Sequence, residues 1–169
     1  AGRKITGKNL HLLVDYFKEY KRSNASALKL VILGKEGLSY EGEADIIELG
    51  FVSSEDKFDV MRAASIFCQP SINESFSIVL MEAWLQETPA LVHSGCEVTK
   101  DHVDDSNGGH YFANQEEFDF AVGSILEDPK NYGANGRKYV LDNYTPEIVF
   151  SRFEAYITEL DKKLRAGVD

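Results

Sequence analysis

Two glutamates at a fixed spacing are the side chains of this sequence that are best suited to chemistry. Glu82 interrupts an apolar run over residues 78–85, and Glu74 lies eight positions earlier in a polar stretch. Because desolvating a charge is costly, an ionised carboxylate within an apolar helix needs a partner. That partner is either a structural lysine or arginine, or the hydroxyl and N–H groups of a ligand. The two glutamates alone leave both possibilities open.

The residues around the apolar run indicate how a ligand would reach these carboxylates. Pro70, Ser71 and Ser77 mark a loop, and the run over 78–85 predicts a helix that is buried on all its faces. A junction between a loop and a helix presents unpaired backbone N–H groups and the positive end of the helix dipole. The junction therefore favours an anionic ligand.

The elements that position this junction alternate between strand and helix. Short apolar runs predict strands over residues 28–33, 46–52, 65–68, 89–93 and 110–112. Helical spacing of apolar residues predicts helices after Asn9 and Ser53, over 78–85, after Asn114, over 130–143 and from Thr145–Pro146 to Leu164. The polar stretch 94–109 is expected to be irregular.

This alternation predicts an α/β fold, with a Rossmann-like parallel sheet flanked by helices and a helical C-terminal tail. Ligands of such sheets bind at the carboxyl ends of the strands. Glu74, Gly34 and the Val52–Ser53 junction each follow a predicted strand, so we expect them to line one crevice.

Composition narrows the classes of function. A formal net charge of −10 over 169 residues argues against nucleic acid as a partner. Two cysteines outside any ligand or disulfide pattern favour a reducing, cytoplasmic location. The four histidines have no ligand spacing, so we expect surface or loop positions for them and no metal site. The whole of 1–169 is predicted to be one domain, and its opening residues suggest a fragment of a longer chain.

The stretch PSINESFSIVLMEAWLQETPALV resembles a known family. Its Glu-x7-Glu pair, the leading Pro–Ser and the following Thr–Pro with an apolar strand are similar to the C-terminal, donor-binding half of family 4 retaining glycosyltransferases (glycosyl transferases group 1), which have the GT-B fold. Gly2–Arg3 followed by Lys8 resembles a further element of that family. The chain departs from the family at Gly95–Cys96–Glu97, where a Gly–Gly pair is frequent.

The resemblance implies catalytic roles for three residues. Glu74 would accept hydrogen bonds from hydroxyls of the donor sugar. Arg3 and Lys8 would bind the diphosphate and stabilise the charge that builds on it as the glycosidic bond breaks. Judged without the resemblance, both cations would more readily be solvated surface charges.

The resemblance also implies a nucleotide-binding set. Backbone N–H groups of Phe76, Ser77 and Ile78 would face the diphosphate, Glu82 would accept hydrogen bonds from the ribose diol, and Val52 would lie near the base. Val52 is almost as readily explained as a core residue at a strand end. Eight helical residues span about 12 Å, more than the roughly 5–9.5 Å between paired carboxylates of glycoside hydrolases.

The implied function is transfer of a sugar from a nucleotide-diphosphate sugar (UDP-, GDP- or ADP-linked) to a glycan or lipid-linked acceptor, with polysaccharide assembly as one setting. No cofactor or metal is expected. The expected partner is an N-terminal acceptor domain missing from this chain, through which any peripheral membrane contact would be made. The domain alone would transfer sugar weakly or not at all. Two alternatives stay open, a sugar-nucleotide epimerase of related architecture and a non-catalytic α/β interaction module whose Glu82 is ion-paired internally.

Overall fold

The structure, a computed structural model, describes residues 8–34, 37, 39–165 and 167. Strands and helices alternate over most of this length, as the sequence predicts. The helices are α1 (Leu10–Ser23), α2 (Ser54–Ala63), α3 (Ile78–Leu85), α4 (Glu97–Ser106), α5 (Gln115–Glu127), α6 (Pro129–Asn143) and α7 (Pro146–Arg165). The strands are β1 (Leu30–Leu33), β2 (Ile46–Gly50), β3 (Phe67–Gln69), β4 (Ala90–His93) and β5 (Gly109–Phe112).

All strand pairs among the described residues are parallel, which confirms the predicted α/β class with its helical tail. They form two ladders, β1–β2 and β3–β4–β5. Helix α1 packs against both, since Leu13 belongs to a core with Leu91 of β4, and Val14 to a core with Ile32 of β1. Helix α7 has no buried residue, so it forms an exposed tail.

The packing of Trp84 fixes α3 against the rest of the domain. Its indole is fully buried, and Nε1 donates to the carbonyl oxygen of Gly108, 2.9 Å away. Gly136 of α6 packs directly on the ring, because a Cβ there would lie 2.2 Å from Trp84 Cδ1. Helix α3 is therefore fixed between α6 and the turn that leads into β5.

Three expectations from sequence are corrected here. The stretch 94–109 is largely helical, because α4 buries Thr99, His102, Val103 and Ser106, which are spaced at i, i+3, i+4 and i+7 but are mostly polar. His102 is consequently buried in a helix, not a surface or loop residue. Helix α3 is buried on one side only, since Ile78 is 69% exposed.

The contact between Gly136 and Trp84 predicts that Gly136→Ala destabilises the domain by about 1–3 kcal/mol, because the added methyl group overpacks an indole that cannot move. Gly123→Ala is the matched control, since Gly123 is also helical and has open space around its Cβ position. Replacing a helical glycine in open space should instead stabilise by roughly 0.5–1 kcal/mol. Urea unfolding of both variants measures the difference, and equal midpoints would contradict this packing.

Candidate functional site

A cleft of about 410 Å³ opens where β1 and β3 end and α3 begins. Its walls include Leu33 and Gln69 at the two strand ends, together with Lys8. Of the eight residues that the sequence singled out, five line this α3 cleft: Lys8, Glu74, Phe76, Ser77 and Ile78. The predicted meeting of a loop, a strand end and a helix start therefore exists at this point of the fold.

The other three predicted residues lie elsewhere. Glu82 and Val52 do not line the α3 cleft. Val52 follows β2 and immediately precedes Ser53, the N-cap of α2. Arg3 falls outside the described residues. The single crevice expected from the strand ends thus includes the loop after β3 but not the junction after β2.

An ion pair between Lys8 and Glu74 is the main electrostatic feature of the cleft. Lys8 Nζ donates to Glu74 Oε1 at 2.7 Å, and the glutamate side chain is only 15% exposed. Burial alone would raise the pKa of Glu74, yet hydrogen bonds from Lys8, Ser71 and Gln69 and the lysine charge lower it overall. Glu74 is therefore held as an ionised hydrogen-bond acceptor beside a cation.

Gln69 and Ser71 support Glu74, and the sequence reasoning missed both. Gln69 is buried at the end of β3, and its Oε1 accepts a hydrogen bond from Ser77 Oγ at 2.7 Å. The side-chain amide thus links the loop carrying Glu74 to the residue that starts α3. A buried polar residue at the end of an otherwise apolar strand, directly before Pro70, was the signal that could have identified it.

The start of α3 is shaped for an external hydrogen-bond acceptor. Ser77 occupies the N-cap position in the left-handed region (φ 67°) and makes no side-chain cap, because its hydroxyl is bonded to Gln69. The first-turn N–H groups are left without that partner. Phe76 lines the cleft, and its ring packs edge-on against His102 and Tyr144. This arrangement can hold an anion next to Lys8.

Glu82 has an internal partner. Lys57 Nζ on α2 donates to Glu82 Oε1 at 2.6 Å, and both side chains are about a quarter exposed, at 23% and 24%. The partner of this carboxylate is therefore a lysine 25 residues away, not Lys8. The ion pair uses one carboxylate oxygen, so the second can still accept hydrogen bonds.

The loop after β4 approaches the same edge of the fold. The N–H of Gly95 donates to Nδ1 of His93 at 2.9 Å, and the Cβ position of Gly95 lies 3.4 Å from the Ile72 side chain. Burial lowers the pKa of His93, with Glu117 opposing the shift. His93 is half-buried at the end of β4, so it is not the surface or loop residue that we expected. Cys96, expected in a loop, is the buried N-cap of α4.

Neither metal nor membrane features accompany the cleft in the part of the chain that the structure describes. These residues contain no group of three or more His, Cys, Asp or Glu side chains that could hold a metal ion. No helix within the same residues is both long and apolar enough to cross a membrane.

The ion pair predicts a pH-dependent effect of Lys8→Met. Loss of the lysine should raise the pKa of Glu74, which NMR titration of its carboxyl group measures directly. The lowered folded-state pKa of Glu74 stabilises the fold above its unfolded pKa, and this contribution is lost as pH falls through the folded value. Lys8→Met should therefore lower the free energy of unfolding near neutral pH, with the deficit shrinking on acidification.

Lys18→Met is the matched control for this prediction. Lys18 also lies at the start of the chain and pairs with a glutamate, Glu43, but both side chains are exposed. The control should leave the titration of Glu74 unchanged. An unaltered Glu74 pKa in Lys8→Met would show that the two side chains do not interact.

Comparison with known proteins shows the family to which the chain belongs. A search of curated protein sequences finds no significant match. Among solved structures, HepE (Alr3699) from Anabaena in complex with UDP superposes with a TM-score of 0.76 at 14% identity, over 94% of this chain and 48% of that one. Sucrose-phosphate synthase (tll1590) from Thermosynechococcus elongatus gives 0.75 at 19% identity, over 95% and 45% of the two chains.

A third solved structure shows which part of these longer proteins the chain resembles. The C-terminal domain of LpcC, a group 1 glycosyl transferase from Francisella tularensis, gives a TM-score of 0.72 at 16% identity, over 86% of this chain and 84% of that domain. The chain thus spans about half the length of the first two neighbours and most of this isolated domain. The profile "Glycosyl transferases group 1" matches residues 1–139. The chain therefore belongs to the glycosyl transferases group 1 family and has the α/β fold of its GT-B domains.

Proposed function

We propose that residues 1–169 form the donor-binding domain of a retaining glycosyltransferase that uses a nucleotide-diphosphate sugar. The observation that carries the proposal is the Lys8–Glu74 ion pair at the uncapped start of α3, in a chain of this family. Within this cleft, the cation and the unpaired N–H groups fit the diphosphate of such a donor, and the ionised acceptor fits the hydroxyls of its sugar. HepE, a neighbour in fold, was crystallised with UDP and with UDP-glucose, which supports a nucleotide-sugar donor.

Lys8 would serve two partners in this proposal. An ammonium group has three donors, so Lys8 can keep its bond to Glu74 while it donates to an oxygen of the diphosphate. Charge increases on the diphosphate as the bond to the sugar breaks, so the lysine stabilises the transition state more than the ground state. Glu74, held ionised, would accept hydrogen bonds from sugar hydroxyls and fix the orientation of the ring.

The N–H groups at the start of α3 would receive the diphosphate, and Glu82, one turn further along, would receive the ribose. Four residues of helix rise about 6 Å, which carries the nucleotide from Ile78 towards the Lys57–Glu82 pair. The ion pair with Lys57 orients the Glu82 carboxylate. Val52 would lie near the base, and Arg3 would add charge at the diphosphate.

In this proposal the acceptor hydroxyl attacks the face from which the diphosphate leaves, and the diphosphate takes the proton without a metal. The acceptor site would belong to an N-terminal domain outside this chain, so residues 1–169 alone would bind nucleotide but transfer sugar weakly. A glycan or lipid-linked acceptor is the class that we infer, with the reaction in the cytoplasm. A sugar-nucleotide epimerase would instead release an isomerised donor in the absence of any acceptor, which product analysis distinguishes.

One observation favours the non-catalytic alternative. An interaction module requires Glu82 to be ion-paired internally, and Lys57 provides that pair. This reading does not account for Glu74 and the uncapped start of α3, which a module does not need. The glycosyltransferase proposal predicts nucleotide binding, and the interaction module predicts none.

Titration with UDP, GDP and ADP tests the proposal. For the protein that contains this domain, we expect one of the three to bind, with NMR shifts at the amides of Ser77 and Ile78 and at Lys8. The first-turn amides respond because they would donate to the diphosphate. Shifts at distant surface amides alone, or none with any of the three, would favour the interaction module.

A combined change in protein and ligand tests the role of Glu82. We expect Glu82→Gln to weaken nucleotide binding at least tenfold, about 1.4 kcal/mol, because an amide accepts hydroxyl hydrogen bonds less strongly than a carboxylate. A 2′,3′-dideoxy nucleotide should lose a similar factor, and the two changes together should cost little more than either alone. Calorimetry measures all four combinations.

Glu87→Gln is the matched control for Glu82→Gln. Glu87 is also ion-paired, with Arg137, but it is exposed just beyond the end of α3. The control should leave affinity unchanged. Additive losses in the combined experiment would exclude contact between Glu82 and the ribose, whatever role Glu74 has.

A further inference from the structure

One buried side-chain amide lies between the two parts of the α3 cleft that the proposed function uses. Gln69 is only 6% exposed and lines the cleft together with Glu74 and Ser77. Ser77 Oγ donates to Gln69 Oε1 at 2.7 Å. Against the burial that raises the pKa of Glu74, side-chain hydrogen bonding from Gln69 acts with that of Lys8 to lower it. Both ends of the amide therefore have a partner, and such satisfied buried networks are rigid.

The charge of Glu74 determines which way the amide of Gln69 points. An ionised carboxylate only accepts hydrogen bonds, so the NH₂ group must be the end of the amide that faces Glu74. A serine hydroxyl can donate or accept, so Ser77 donates to the carbonyl oxygen that remains. The donors therefore run in one direction, from Ser77 to Gln69 and from Gln69 to Glu74.

The backbone of Gln69 is the fixed point of this arrangement. Gln69 is the last residue of β3, where it is paired with Val92 in the parallel ladder with β4. Glu74 instead lies in the loop after β3, and Ser77 lies at the junction with α3. Side chains carried by strands are held more precisely than those carried by loops. The amide of Gln69 can therefore position both of its partners.

The backbone of Ser77 shows that the start of α3 is held in an unfavourable conformation. Its φ of 67° and ψ of 70° lie in the left-handed region, which disfavours residues with a Cβ atom. Such residues persist where the surrounding structure over-determines them, and they are frequent at functional sites. Ser77 is 7% exposed, and its hydroxyl is bonded to Gln69. This hydrogen bond helps to hold Ser77, and with it the first-turn N–H groups of α3.

We propose that Gln69 is a positioning residue of the donor site, and that its one amide sets Glu74 for the sugar and the start of α3 for the diphosphate. The inference rests on the proposed function, because it assigns the two ends of the amide to two parts of a nucleotide-diphosphate sugar. Both ends are occupied within the protein, so Gln69 acts through Glu74 and Ser77 without touching the ligand.

Gln69→Glu tests the end of the amide that faces Glu74. The new side chain keeps its shape and an acceptor for Ser77, but a second carboxylate replaces the donor to Glu74. Two carboxylates in one site do not both ionise readily, so the pair should bind a proton with a raised apparent pKa. Among the described residues, Lys8 is the charged group paired with Glu74, and it favours the ionised form in both proteins.

The expected result is a change in the pH profile of binding. Calorimetry on the protein that contains this domain would use whichever of UDP-, GDP- and ADP-glucose the wild type binds. Below the raised pKa, the proton on Gln69→Glu restores a donor to Glu74, so the sugar nucleotide should bind. Above it, affinity should fall by roughly tenfold. The wild type should show no loss as pH rises through this range, because the pKa of Glu74 is lowered and the carboxylate is already ionised.

Gln86→Glu is the matched control. It makes the same change of charge just after the end of α3, where Gln86 Oε1 accepts from Arg62 at 2.8 Å. The control should leave the pH profile and the pKa of Glu74 unchanged.

Ser77→Ala tests the other end of the amide. It removes the donor to Gln69 and leaves Glu74 with its partners, so the pKa of Glu74 should not change. Affinity should fall by about fivefold for the nucleoside diphosphate and for its sugar derivative alike, because the diphosphate site is the part affected. A loss confined to the sugar derivative would overturn the assignment of Ser77.

NMR titration of the Glu74 carboxyl group without ligand separates this inference from the proposed function. If nucleotide binds to the wild type but the pKa of Glu74 is unchanged in Gln69→Glu, the inference is overturned and the proposed function stands. A loss of binding in Gln69→Glu that is equal at every pH would also overturn it, since a purely structural role gives that result. If the wild type binds no nucleotide, the proposed function and the donor-site role of Gln69 both fail, whatever the pKa of Glu74.

Discussion

The contact between Lys8 and Glu74 is the interaction on which the arrangement of this domain depends. It joins the start of α1 to the loop after β3, two segments that are 66 positions apart. The described ladders do not connect these segments, so the ion pair links them directly, in addition to the packing of α1 and α2. A partly buried pair of this kind persists only when the remaining carboxylate oxygens are also satisfied. Side-chain hydrogen bonding from Ser71 and Gln69 adds to that of Lys8 in lowering the pKa of Glu74, which gives the polar side chains at the end of an apolar strand a role.

Glu74 and Glu82 are each paired with a lysine, but in different surroundings. Glu74 is more buried and depends on several donors from its own loop and from Lys8. Glu82 is more exposed and pairs with Lys57 on the neighbouring helix. An acceptor that must stay ionised in a cleft needs more support than one at its rim, because desolvation is greater there.

The alternation of strands and helices, and the helix start beside Glu74, could be predicted from sequence because they depend on local patterns. Helix α4 could not, since its buried face consists largely of Thr99, His102 and Ser106, which hydrophobic periodicity does not detect. The pairing of Lys57 with Glu82 could not be predicted from sequence either. Periodicity places a residue on a face of its own helix, but it does not say which face of another helix lies opposite. The bounds of the strands were predicted to within two residues. The sequence patterns did not indicate which strands are neighbours in the sheet.

The relative position of the two ladders and the geometry of the cleft are coupled through α1. This helix contributes to the core beside β4 through Leu13 and to the core beside β1 through Val14, so it carries Lys8 at a position set by both ladders. Any shift between the ladders would change the distance from Lys8 to Glu74, because the glutamate moves with β3.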